Sequence, residues 1–121
     1  METTNLLVYT NAISGQDDTF NEWYDNTHIP QILALPMVVS AQRFRLGPIG
    51  VDTTAAGSLV DPSAPLPHVY LAVYEVTGDP TVAAQAITDG SIDGTIVLDE
   101  SFDVASTLSL TAQPLSPVRT S

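Results

Sequence analysis

Phe20-Asn-Glu-Trp-Tyr-Asp-Asn-Thr-His-Ile-Pro30 sets aromatic bulk, a carboxylate and an imidazole on one short stretch that a proline interrupts. Phe20, Trp23, Tyr24 and His28 recur at helical spacing, and Ile32 and Leu35 continue the stripe, so the segment predicts an amphipathic helix with one apolar face. Asp17 starts it, after the turn-forming and capping residues Ser14-Gly15-Gln16. Pro30 lacks a backbone donor and crowds the carbonyl of Asn26, so the helix must kink or restart there and peptide groups near His28 are released.

Working outward, residues 6–13 read as a strand before this helix, and Met37–Leu46 as a second strand with Arg43 and Arg45 on the same face. Residues 47–67 follow, punctuated by Pro48, Gly50, Gly57, Pro62 and Pro65, and read as a mobile flap. His68–Val76 alternates cleanly, His68, Tyr70, Ala72, Tyr74 and Val76 against Val69, Leu71, Val73 and Glu75, which predicts a central strand. Asp79-Pro80 is an N-cap followed by a proline in the first helical position, opening a short helix that Gly90 is expected to stop. Residues 91–101 read either as a hairpin about Asp93-Gly94 or as an acidic loop. Residues 102–112 read as the last strand.

The order β-α-β-β-α-β is the ferredoxin-like arrangement, an α+β fold with an antiparallel sheet and helices on one face. At 121 residues and 44% apolar content the whole chain, 1–121, is expected to form a single domain with a genuine core. Its strands are apolar on both faces while helices cover one, so a second copy is the simplest cover for the other, and a homodimer is expected.

Fourteen acidic residues face three arginines and no lysine, for a net charge of -11. That charge repels nucleic acid and anionic membranes, so neither is an expected partner. No stretch is apolar for eighteen residues and the start is polar, which predicts a soluble, cytoplasmic protein. The absence of cysteine excludes disulfides and thiolate chemistry, and the absence of lysine excludes a Schiff base. There is no phosphate loop, dinucleotide fingerprint or nucleophile elbow. Two histidines without His-x-His or His-Glu-x-x-His spacing do not make a metal site. Cofactor-free acid-base chemistry is what these residues leave open.

The words Trp23-Tyr24-Asp25 and His28-Ile29-Pro30, with Leu33-Ala34-Leu35-Pro36 and Arg43-Phe44 downstream, resemble the EthD-like branch of the dimeric α+β barrel superfamily. The resemblance implies two sheets closing into a shared barrel, and a histidine at position 28 that faces a cavity between helix and sheet. It also implies chemistry of the lyase or tailoring kind on polyketides and other aromatic compounds.

The candidate catalytic residues are therefore His28, Tyr24 and Asp25. His28 moves a proton near neutral pH, Tyr24 polarises a carbonyl, and Asp25, three positions before His28, orients the imidazole. The competing roles are structural: His28 bonding a carbonyl freed by Pro30, Tyr24 as core, and Asp25 as part of a polar face. Trp23, Tyr9, Arg43, His68, Tyr70 and Tyr74 are the candidate substrate-binding residues, as apolar wall, phenol donors or anion clamp. The expected function is that of a small cofactor-independent lyase, dehydratase, decarboxylase or isomerase acting on an apolar or aromatic carbonyl compound. Two alternatives remain open at this level: a ligand-binding accessory protein of an oxidative degradation system, and a cofactor-free monooxygenase of a phenol.

Overall fold

A computed structural model of the chain describes residues 2–48 and 66–121. Strand β1 (Thr3–Thr10) leads to helix α1 (Asp17–Trp23), a π-helical turn (Tyr24–His28) and helix α2 (Ile29–Leu33). Strands β2 (Val38–Arg45) and β3 (Tyr70–Thr77), helix α3 (Pro80–Asp93), a 3-10 turn (Val104–Ser106) and strand β4 (Leu108–Ala112) complete it. The four strands form one antiparallel sheet in the order β2-β3-β1-β4, so β3 is central as its alternation predicts and the ferredoxin-like α+β fold is realised. Among the described residues no helix is long and apolar enough to cross a membrane.

The helix-facing side of the sheet carries Leu6 and Thr10 from β1 and Tyr70, Ala72, Tyr74 and Val76 from β3, all buried. Phe20, Trp23, Tyr24 and Ile32 close over them from the helices, as the stripe in the sequence predicts. A register shift between Val38 and Ser40 keeps Val38 on this side while bringing Ala41, Arg43 and Arg45 opposite Tyr74, Ala72 and Tyr70. Both arginines thus share one face, as expected from the sequence, and it is the helix-facing one. The reverse side leaves Phe44, Leu108 and Leu110 over two-fifths exposed.

Several boundaries differ from the sequence reading, each for a local reason. The first strand spans residues 3–10 instead of 6–13, because polar Thr3, Thr4 and Asn5 still find partners in Thr77, Val76 and Glu75. It ends where the Asn11 side chain takes over, accepting from the Val69 N–H and donating to the Pro67 carbonyl. Gly90 does not stop α3. The helix runs three residues further and ends at Gly94, whose φ of 90° gives a left-handed cap with its N–H on the Gly90 carbonyl. Asp93-Gly94 is therefore a helix end and not a hairpin turn.

Gly90 is required for a different reason: a Cβ there would lie 2.8 Å from Ile96 Cδ1, so the chain returning from the helix end packs directly on the helix backbone. The predicted last strand is broken. Phe102 forms only an isolated bridge to Ala12, and the 3-10 turn separates it from β4. The predicted flap, residues 47–67, lies almost wholly outside the described residues.

Candidate active site

The kink expected at Pro30 takes the form of the π-helical turn that precedes it. Pro30 falls in the first turn of α2, and the N–H of Ile29 reaches back five residues to the Tyr24 carbonyl. Widening the helix this way accommodates a residue with no donor and a ring that would collide with the preceding turn. The wider turn brings Trp23 and His28, five residues apart, into a stack with centroids 4.7 Å apart and planes at 30°. The edge of Tyr24 meets the same imidazole at 4.8 Å. Trp23 is itself anchored, donating its indole N–H to the Val97 carbonyl at 3.2 Å.

His28 is 5% exposed, and its Nδ1 is buried without a hydrogen-bond partner among the described residues. Burial lowers its pKa from 6.5 to about 4, with the positive charge of Arg43 adding to the effect. At neutral pH the imidazole is uncharged and able to accept a proton. The Tyr24 hydroxyl lies 3.2 Å from that of Tyr74 on β3, both buried. Burial raises the pKa of both phenols, so both stay protonated and available as donors.

His28, Tyr24 and Tyr74 border one cavity of about 470 Å³ beneath α3. Its walls are Leu6, Val8, Ile32 and Phe102, with Ala84, Ile87, Thr88 and Ser91 along α3, and Thr107 and Ser109 leading into β4. Exposed Ile92, Leu98 and Val104 give it an apolar rim. None of the described lining residues carries a formal charge when His28 is neutral. Thr88 and Ser91 donate their hydroxyls to the Ala84 and Ile87 carbonyls one turn back, leaving acceptor lone pairs. Of these positions, Ile87 reads from the sequence as an apolar residue of this helix, whereas Ala84, Thr88 and Ser91 do not stand out there. The i, i+3, i+4, i+7 spacing of the four is the signal that marks them as one face of α3.

The remaining candidates divide. Trp23 backs His28, as described. Asp25 is 60% exposed and accepts from Arg43 Nη1 at 3.0 Å, so the expected contact between Asp25 and His28 is replaced by an ion pair with β2. Arg43 sits outside the cavity lining, over the ring of Tyr24 at 4.2 Å and 5.4 Å from that of Tyr70, with Nη2 on Asn21 Oδ1 at 2.8 Å. Tyr70 is turned to the start of α1, donating to Asp17 at 2.6 Å and accepting from Asn21 at 3.1 Å, and is also absent from the lining.

Tyr9 and His68 pack against each other at 5.7 Å, and the register puts Tyr9 on the side of the sheet away from the helices. His68 Nε2 bonds the Ser106 carbonyl at 2.7 Å. Neither joins the His28 cavity, because strand alternation sends position 9 opposite to Leu6 and Val8. Among the described residues no three histidine or carboxylate side chains gather as a metal site.

Comparison with known proteins places this architecture. Over 95% of this chain and 100% of the other, the structure matches an ethyl tert-butyl ether D (EthD) family protein from Bacillus halodurans C-125, at 15% identity and a TM-score of 0.57. HapK from Hahella chejuensis matches over 100% of this chain and 99% of its own, at 18% identity and a TM-score of 0.50. No family model and no curated protein matches the chain. The likeness is one of fold, and it agrees with the resemblance read from the Trp23-Tyr24-Asp25 and His28-Ile29-Pro30 words.

Proposed function

We propose that this protein is a cofactor-independent acid-base enzyme that moves a proton beside the carbonyl of an uncharged, largely apolar compound held under α3. The observation that supports this most is the meeting of a neutral, buried imidazole and a pair of protonated phenols on the wall of one apolar cavity. His28 accepts the proton from the carbon next to the carbonyl. The electron pair moves onto the carbonyl oxygen, where a hydroxyl of the Tyr24–Tyr74 pair donates a hydrogen bond. The imidazolium then returns its proton, either to another carbon, giving a double-bond shift, or to a departing β-hydroxyl, which leaves as water. With a pKa of about 4 the buried imidazolium gives up its proton readily in that second transfer, and the oxyanion's hydrogen bonds must offset the weaker base in the first.

The absence of charge on the described lining narrows the substrate class. A β-keto acid would bring a carboxylate into a cavity where Arg43 is not available to meet it, so among the reactions open at the sequence level dehydration and isomerisation fit better than decarboxylation. The exposed reverse face of the sheet, with Phe44, Leu108 and Leu110, supports a homodimer as the working form. The test is to incubate the metal-free protein with neutral aromatic β-hydroxy ketones and parallel β-keto acids. Dehydrated or isomerised product from the first set is expected. Tight binding without product would leave a ligand carrier, and strict dependence on oxygen would identify a monooxygenase.

A further inference from the structure

We infer that Arg43 is a positioning residue of this acid-base site, acting on His28 and on the tyrosine pair from its place over the ring of Tyr24, outside the cavity lining. The inference rests on the acid-base reading above, but its test does not require turnover. The geometry is specific. The guanidinium lies 4.2 Å from the Tyr24 ring centroid, 5.4 Å from Tyr70 and 5.7 Å from Phe20, and donates to Asp25 and Asn21. Its side chain is only 14% exposed and its Nε is buried without a partner among the described residues, so a full positive charge has been withdrawn from water against the ring of a site residue. In a chain with three cations in total, this is where one of them is spent.

The charges around His28 are few. Its own turn supplies Tyr24 and the exposed carboxylate of Asp25, β3 supplies Tyr74, and β2 supplies Arg43, whereas α3 and β4 present only uncharged side chains to the cavity. The positive charge disfavours protonation of His28 and favours ionisation of Tyr24 and Tyr74, while Asp25 opposes it at Tyr24. The cation therefore acts on the two halves of the site in opposite ways: it makes the imidazole a weaker base, and it makes the hydroxyl pair a better donor to a developing oxyanion.

Two substitutions separate charge from packing. Arg43→Gln keeps a polar side chain but removes the charge, and Arg43→Lys keeps the charge but loses the planar fork. The His28 ring resonances, followed by NMR down to about pH 3, are expected to give the same midpoint, about 4, in the parent and in Arg43→Lys. In Arg43→Gln the midpoint rises by about half a unit or more. An unmoved midpoint in Arg43→Gln, or the same rise in both variants, overturns the inference and reduces Arg43 to a structural clamp.

Asp25→Asn gives an independent reading that survives even if Arg43→Gln does not fold, since Asp25 is mostly exposed. With the opposing carboxylate gone, Tyr24 ionises at lower pH, seen as an earlier midpoint of its own ring resonances in an alkaline NMR titration. An unmoved or later midpoint contradicts the inference.

Discussion

The hydroxyls of Tyr24 and Tyr74 meet 3.2 Å apart beside the cavity, one from the π-helical turn and one from the central strand. The contact fastens the helical layer to the sheet at the point where the site lies, and it satisfies two buried polar groups at once. Tyr74→Phe leaves the Tyr24 hydroxyl buried and unpaired, which is expected to cost about 1–3 kcal/mol. The double variant with Tyr24→Phe is expected to lose less than the sum of the two singles. Urea unfolding of the four proteins reads the coupling, and additive losses would show that the two hydroxyls do not depend on each other.

His28 makes stability depend on pH in a definite direction. Its folded pKa of about 4 lies below the ordinary 6.5, so between these values the unfolded chain binds the extra proton and stability rises with pH. The contribution is complete above about pH 6.5 and is lost as pH falls toward 4, amounting to about 3 kcal/mol over that window. Asp93 and Asp99, held below the usual carboxylate range by bonds from Thr95 and Ser101, lose their contribution only at lower pH. Denaturant midpoints across pH 4.5–7.5 are expected to slope upward in the parent and to flatten in His28→Gln.

Gly90 gives a prediction whose sign is informative. In an ordinary helix interior, alanine would stabilise by about 1 kcal/mol over glycine. Here the added methyl would press on Ile96 Cδ1 and Cγ1, at 2.8 and 2.9 Å, and Ile96 is only 3% exposed. Gly90→Ala is therefore expected to lower stability by about 1–2 kcal/mol, with partial recovery when Ile96→Val is added, as followed by thermal melting.

The open face of the sheet predicts association. Leu110→Glu puts a charge among Phe44, Leu108 and Leu110 without touching the helix-facing core. Sedimentation is expected to show a dimer for the parent and a monomer of unchanged secondary structure for the variant. A parent that sediments as a monomer at all concentrations would remove the dimer from this account.

Much of this was legible in the chain because periodicity reports burial. The Phe20, Trp23, Tyr24, His28, Ile32 stripe and the Tyr70 to Val76 alternation both reflect which side chains meet the core, and both are realised. What escaped depends on contacts distant in sequence. Pro30 announces a disturbance, but that the helix widens instead of breaking shows only in the structure, where the π-helical turn accompanies the stack of Trp23 on His28. Gly90 resembles a stop signal until Ile96 is known to lie against it. Asp25 is near His28 along the chain, yet its partner is Arg43 on a strand eighteen residues away, and an ion pair with a cation outcompetes a neutral imidazole. Tyr9 carries suitable chemistry on the wrong face of the sheet, a matter of strand parity that Leu6 and Val8 decide, and His68 falls just before β3 begins at Tyr70, where it packs on Tyr9 instead of entering the cavity.

The account stands most directly on His28 as the group that carries the proton. The deciding measurement is the turnover of His28→Gln beside the parent, on a neutral β-hydroxy ketone that the parent converts, with folding and ligand affinity checked in parallel. The expected result is a folded protein that binds the ligand and turns it over about 10²-fold more slowly or worse. Turnover equal to the parent's would contradict the account and leave the imidazole as a packing element beneath α3.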